Sequence, residues 1–464
     1  MNQLTINKII LPLSILSFIE FIYLIFNNIN GNYSLLPLLP LFNALLFYIT
    51  SIIVGNKLAH IGNILILSLL FVKNSLIPLF TFLGNYNTIM KLNIEYNANR
   101  AILLMLYEMF AIMLMFIYVN RKQFKSIVYR LDNDTSMKKI VVALSLYCCF
   151  IFIMFPDVFF SFKTIFNLSD ENFTVGFHND LAFGSIQRIL RTLFGVVFNV
   201  VRILLPVMII RFLFRKRMNL IVESFIISTL IFLQFLFITS TFAESIVSSL
   251  IVLLAVIKMR PKMYGPILKI SAISVSFIII FYFSFRYAII GTKSRYAGSS
   301  FVEYCCSVMN AYFGGIDNVA AVFNVPDTDV MTNFLNTLKC TVPFNTTFFG
   351  EHGMIYTSLY NISNFSMGQI PPTLTSSCYY FGTLFSPIIS VIFVYISIKY
   401  SYLALKMNSY WQYISYVFIS IIFALGISMY NDQISLTWFN GWALPILILS
   451  NISSKKISYN ENKL

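Results

Sequence analysis

The sequence predicts an all-α polytopic integral membrane protein with about 12 transmembrane helices. Three observations carry that class. Charged residues make up 11% of the 464, against about 25% in a soluble domain. Hydrophobic residues reach 58% and the mean hydropathy is +0.79. Apolar runs of spanning length follow one another with short breaks, and Lys and Arg collect in those breaks.

About twenty apolar residues cross a bilayer as a helix. Spans are expected near 8–28, 34–54, 60–84, 101–119, 139–158, 190–213, 219–239, 241–257, 265–289, 378–398, 408–429 and 435–452. The first run, from Ile9 to Phe26, ends in Asn-Asn-Ile-Asn without a small-residue cleavage site, so it reads as a span and not a signal peptide. The seventh and eighth nearly abut, which implies a tight hairpin at Thr239-Ser240-Thr241.

Charge sets the orientation, because positive residues hold loops on the cytoplasmic side. The strongest such segments are Arg121-Lys122 through Lys139, Arg211 through Arg217, and Lys258 through Lys269. Both termini are then cytoplasmic. The expected organisation is helices one to nine over 1–285, with a smaller exterior loop near 157–190. A long exterior loop follows over 286–377, between helices nine and ten. The last three helices and a cytoplasmic tail occupy 378–464. The net charge of +14 and the pI of 9.4 follow from this topology. They call for a lipid bilayer, not nucleic acid, as partner.

Charge inside a span is costly and is a functional candidate by default. Lys73 lies mid-span, and its alternative role is a pair with Glu20, Glu108 or Glu223. Arg202 and Arg191 are eleven residues apart, three helical turns, with Arg188 a further turn outward. Arg286, Lys293 and Arg295 cluster where the ninth span leaves the membrane. Guanidinium groups hold phosphate oxygens through paired hydrogen bonds, and a lipid pyrophosphate lies at this depth. Asp317, Glu351 and His352 are the acid and base candidates of the long loop, each able to take a proton from a hydroxyl. Asp432 and Glu244 rank below them.

Phosphate-binding loops, dinucleotide glycine patterns, zinc spacings and Gly-x-Ser-x-Gly are absent. Three histidines, His60, His178 and His352, do not assemble a metal site, and no cofactor is expected. Six cysteines form no framework. A disulfide to Cys340 is left open by the spacing.

Four motifs carry a family likeness. They are Phe-Arg-Tyr-Ala-Ile-Ile-Gly-Thr-Lys-Ser-Arg-Tyr (285–296), Ala-Tyr-Phe-Gly-Gly-Ile-Asp-Asn (311–318), Gln-Ile-Pro-Pro-Thr-Leu-Thr (369–375) and Tyr-Tyr-Phe-Gly-Thr-Leu-Phe-Ser-Pro (379–387). Together with the topology they resemble the O-antigen polymerases (Wzy-type oligosaccharide repeat unit polymerases), mainly over 185–400. The resemblance implies a metal-independent glycosyltransferase on the outer side of the bacterial inner membrane. Its substrates would be undecaprenyl-pyrophosphate-linked glycans, built into O-antigen lipopolysaccharide or a related surface polysaccharide. A chain-length regulator would be its protein partner.

Arg286 and Arg295 match the basic positions at the loop entry, and Asp317 the polar position after the aromatic-glycine segment. On this reading Arg188, Arg191, Arg202, Arg286, Lys293 and Arg295 face pyrophosphate. Asp317, Glu351 or His352 then serves the acceptor. Two features depart from the family: Thr239–Ser245 holds no Arg, and no Arg-x10-Gly arrangement starts at Arg188, Arg191, Arg286 or Arg295. A lipid-linked repeat-unit flippase is the rival transporter, but flippases of that kind pair two related halves and no repeat is evident here. An O-antigen ligase shares the polymerase layout.

Overall fold

The computed structural model describes residues 5–86, 95–122, 130–161, 185–215, 220–234, 242–260, 300–325, 330–344, 349, 371–429 and 431–456. The expected ninth span, the hairpin at Thr239–Thr241 and most of the smaller exterior loop lie outside them. So do Arg286, Lys293, Arg295, Glu351 and His352.

The described chain is almost wholly helical. Its helices are α1 (Asn7–Ile25), α2 (Leu38–Val54), α3 (Ile61–Phe71), α4 (Ile77–Leu83), α5 (Ala98–Arg121) and α6 (Asp134–Met154). After them come α7 (Ser185–Arg215), α8 (Leu220–Leu233), α9 (Phe242–Met259), α10 (Phe301–Tyr312), α11 (Ile316–Ala320) and α12 (Val330–Cys340). The last are α13 (Thr373–Phe385), α14 (Ile388–Leu405), α15 (Tyr410–Leu425), α16 (Asp432–Trp438) and α17 (Leu444–Ser453). A π-helical segment, Val72–Leu76, joins α3 to α4, and another, Phe439–Ala443, joins α16 to α17. The described strands are β1 (Arg130–Asp132) and β2 (Ser454–Lys456), paired antiparallel with Leu131 opposite Lys455.

Among the described residues, seven helical stretches are long and apolar enough to cross a membrane: Asn7–Ile25, Gly31–Val54, Ile61–Leu83, Ala98–Arg121, Asp134–Met154, Ile189–Phe214 and Ile388–Leu405. Tyr410–Leu425 is equally apolar but shorter. Their packing is that of a membrane-embedded protein. On α1 the large residues Ile15, Ile19 and Ile25 are exposed, whereas Ser14 and Ser17 are buried. A water-soluble helix would bury the isoleucines. In lipid there is no gain from hiding them, so small and hydrogen-bonding residues take the inner face.

The tenth expected span, 378–398, divides. Gly382 sits at φ +73° and interrupts α13, and Ser386-Pro387 precedes α14, so the spanning helix here starts at Ile388. The expected long loop is described in part. Its described part folds into α10, α11 and α12. Ser300 caps α10 by accepting from the Glu303 N–H while the Glu303 carboxylate accepts from the Ser300 N–H, a reciprocal capping box. None of the six cysteines forms a disulfide.

The chain forms two compact units. The first comprises Met1–Lys125, Tyr287–Leu403 and Ile419–Phe439, and the second Ser126–Arg286, Ala404–Phe418 and Asn440–Leu464. Close approach in the first unit depends on Gly62 at the start of α3. A Cβ there would lie 2.9 Å from both the Ser397 and Ser420 hydroxyls and 3.0 Å from the Ser397 carbonyl. Ser397 donates to the Ser420 carbonyl at 2.9 Å, and the Gly62 N–H donates to Ser401 at 3.1 Å. Overpacking a tight contact costs about 1–3 kcal/mol. Gly62→Val is therefore expected to lower the apparent melting temperature in detergent, whereas Gly31→Ala, where a Cβ meets nothing within 4 Å, leaves it unchanged.

Candidate functional site

The first unit gathers buried polar groups around the first turn of α13. The segment Ala-Tyr-Phe-Gly-Gly-Ile-Asp-Asn makes the turn from α10 into α11. Gly314 lies at φ +66°, and a Cβ on it would sit 2.8 Å from the Pro372 Cβ. At Gly315 a Cβ would fall 2.0 Å from the Asn310 amide oxygen. Backbone conformation and crowding call for glycine at 314, and crowding alone at 315. The two glycines deliver Asp317 to a buried position, 4% exposed, beside Ile316 of an apolar cluster that also holds Tyr33, Leu36, Ala98 and Leu374.

The Tyr33 hydroxyl donates to Asp317 Oδ1 at 2.9 Å. Asn318 donates to the carbonyls of Asn310 at 2.7 Å and Ala311 at 3.2 Å, closing the end of α10. Asn310 donates to Thr81 at 3.1 Å. Thr375, on α13, donates to the Asn318 carbonyl at 2.9 Å. Its neighbour Ser376 donates to Asp432 Oδ1 at 2.7 Å. Two buried carboxyl groups thus flank one turn of α13, one tied through the backbone of Asn318 and one directly. Asn431 caps α16 by accepting from the Ile434 N–H at 2.8 Å, which fixes Asp432 in the helix's first turn.

Burial pushes the Asp432 carboxyl above its usual range, opposed by the Ser376 hydrogen bond and by backbone N–H groups. No described cation pairs with Asp432. A carboxyl held in this way keeps its proton to a higher pH than a solvated one. Cys306 is a poor nucleophile. Burial first, and then the Asp317 charge, push its thiol up to about 12, so the reactive thiolate is suppressed. Among the described residues no cluster of three or more His, Cys, Asp and Glu is placed to hold a metal ion.

Lys73, in the π-helical segment, is fully buried and donates to Glu108 Oε2 at 2.5 Å. Ser390 donates to the other oxygen, Oε1, at 2.6 Å. Of the three acids open to Lys73 in the sequence, the fold selects Glu108.

The second unit holds the two described arginine side chains of the expected stripe. Arg191 pairs with Asp157 at 2.6 Å and stacks over Phe155, 5.2 Å from the ring centre. Asp157 itself is 55% exposed. Arg202 is buried. It donates from Nε to Gln234 Oε1 at 2.8 Å and from Nη2 to Ser245 at 2.7 Å, with Glu244 Oε2 at 3.5 Å from Nη1. Arg188 belongs to the same helix, but its side chain lies outside the described ones. Further pairs complete this unit: Arg211 with Asp132 at 2.6 Å and Asp134 at 2.8 Å, and Arg260 with Glu223 at 2.9 Å.

Comparison with family models, characterised proteins and solved structures yields no match. The chemistry of the site therefore rests on its own residues. Asp317 is a site candidate from sequence alone, with Asp432 and Glu244 below it. No local pattern points to the partners of Arg191 or Arg202. An acid within a span is a signal that a buried cation lies near, but sequence separation does not say which one.

The two positive-φ glycines give a test of how the Asp317 turn is held. Leaving a backbone in a sparsely populated region costs about 1–3 kcal/mol per residue. Gly314→Ala adds a clash with Pro372 to that strain, whereas a Cβ on Gly382 meets nothing within 4 Å. Gly314→Ala is expected to lower the apparent melting temperature further than Gly382→Ala does.

Proposed function

We propose that the protein polymerises undecaprenyl-pyrophosphate-linked oligosaccharide repeat units into O-antigen or a related surface polysaccharide. The transfer would take place on the outer side of the bacterial inner membrane, in a chain of about 12 spans with both termini cytoplasmic. One observation carries the reading: the Gly-Gly-Ile-Asp turn brings Asp317 to a buried, hydroxyl-rich site beside the first turn of α13, with Asp432 across that turn.

The chemistry fits that arrangement. No nucleotide sugar is present outside the inner membrane, so the donor must carry its own leaving group. A lipid pyrophosphate does so, and its departure places negative charge on phosphate oxygens that cations stabilise. Asp317 would accept the proton of the attacking acceptor hydroxyl. Among the described cations Arg191 suits the pyrophosphate best. Its partner Asp157 is half exposed, so a phosphate arriving from outside can reach the pair. Arg202 is committed on several sides to protein groups. Arg286 and Arg295 remain the proposed ligands at the loop entry.

The test is a surface-polysaccharide gel from a strain lacking the gene and complemented with Asp317→Asn or with the unaltered chain. The proposal expects the unaltered chain to restore a ladder. The variant should leave one repeat unit on the lipid core while reaching the membrane in normal amount. An unchanged ladder without the gene would refute the function. Loss of all capped core would favour a flippase or ligase. A full ladder with Asp317→Asn would remove Asp317 from the mechanism.

A further inference from the structure

Glu108, Glu223 and Glu244, three described acids that lie within apolar helices, each have a cation. Glu108 has Lys73, Glu223 has Arg260, and Glu244 has Arg202. Glu20, five residues before the end of α1, has none. It lies beside Ser75 of the π-helical segment, and its Oε2 is buried without a hydrogen-bond donor.

A count of hydrogens around it exposes the shortage. Ser17 spends its hydroxyl hydrogen on the Leu13 carbonyl at 2.9 Å, and Ser75 spends its own on Ser17 at 2.7 Å. Asn43 spends its amide hydrogens on Ser17 at 2.9 Å and on Ser75 at 3.3 Å. All donors of the cluster are used, while two acceptors stay open: Glu20 Oε2 and the fully buried Asn43 Oδ1. A buried acceptor without a donor costs about 1–3 kcal/mol, and more when charged. An isolated charge at this depth costs more still. One hydrogen on the Glu20 carboxyl removes the charge and supplies a donor in the same step.

We propose that Glu20 is an intramembrane proton-binding site. Its carboxyl hydrogen completes a one-way chain from Glu20 through Ser75 and Ser17 to the Leu13 carbonyl. Release of the proton turns that chain around, because Ser75 must then aim its hydroxyl at Glu20 and withdraw it from Ser17. The joint between α1, α2 and the π-helical segment is thereby tied to protonation, and π-helical turns commonly mark such working positions.

No other described charge competes for Glu20. Lys73 on the π-helical segment is committed to Glu108, and α3 and α4, which also pack on α1, carry no titratable side chain. On α2 the one such group, Tyr48, is exposed. Tyr23, on α1, sets its ring edge against Phe82. This inference does not depend on the glycan reading.

Dicyclohexylcarbodiimide tests it on the unaltered protein in lipid vesicles. The reagent adds across a protonated carboxyl group: the acid hydrogen goes to nitrogen and the carboxyl oxygen to the central carbon. The acyl group then migrates to nitrogen as a stable acylurea, and nothing leaves. Peptide mass spectrometry is expected to find the adduct on Glu20 and not on Glu108, the internal control paired with Lys73. The labelling rate should fall about tenfold per pH unit above the midpoint and be the same in sodium and choline chloride. No adduct on Glu20 at acidic or neutral pH would overturn the proposal. Protection by sodium would overturn it too, by assigning the open oxygens to a metal cation.

Discussion

The pair between Lys73 and Glu108 is the constraint on which the first unit depends. Both groups are withdrawn from water and from lipid, and Ser390 fills the remaining carboxylate oxygen. An ammonium placed at this depth alone would cost several kcal/mol, so the sequence that puts Lys73 in an apolar run must also bring α5 and α14 to it. The π-helical turn at Val72–Leu76 is where this demand meets the helix. It presents Lys73 toward Glu108 and, two residues on, Ser75 toward Ser17 and Glu20. The second unit obeys the same rule with Arg202, Arg211 and Arg260, each closed by acids of its own.

Against that scaffold, the hydroxyl-rich site around Asp317 and Asp432 has a different character. Its carboxyl groups are met by hydroxyls, amides and backbone: Tyr33 at Asp317 and Ser376 at Asp432. At Asp432 no described cation takes their place, in contrast to the acids that close Lys73 and Arg202. That distinction is the physical reason for placing the proposed chemistry there and for treating Lys73 and Arg202 as framework.

Much of the helical framework was legible because lipid demands long apolar runs, and six expected spans, from 8–28 through 190–213, coincide with helices of spanning length. The tenth was misplaced because Tyr-Tyr-Phe-Gly-Thr-Leu-Phe is as apolar as a span. Only the positive φ of Gly382 shows that the helix stops there. The helices inside the expected long loop left a readable trace, since Ser300-x-x-Glu303 is a capping box. The Gly-Gly-Ile-Asp turn identified Asp317, but its partner Tyr33 is 284 positions away and no local pattern points to it. Pairings inside the membrane were harder. Glu20, Glu108 and Glu223 are equivalent acids to a reader of sequence, and only the packing of α5 against the π-helical segment separates them.

The most direct measurement is a double-mutant cycle on that pair, read as apparent melting temperature in detergent for Lys73→Met, Glu108→Leu and both together. Removing one partner of a buried pair costs about 3–5 kcal/mol, whereas replacing both with apolar groups is often nearly neutral. The account predicts that each single variant melts well below the unaltered protein and that the double variant recovers most of the loss. Additive losses, or single variants that melt like the unaltered protein, would contradict it.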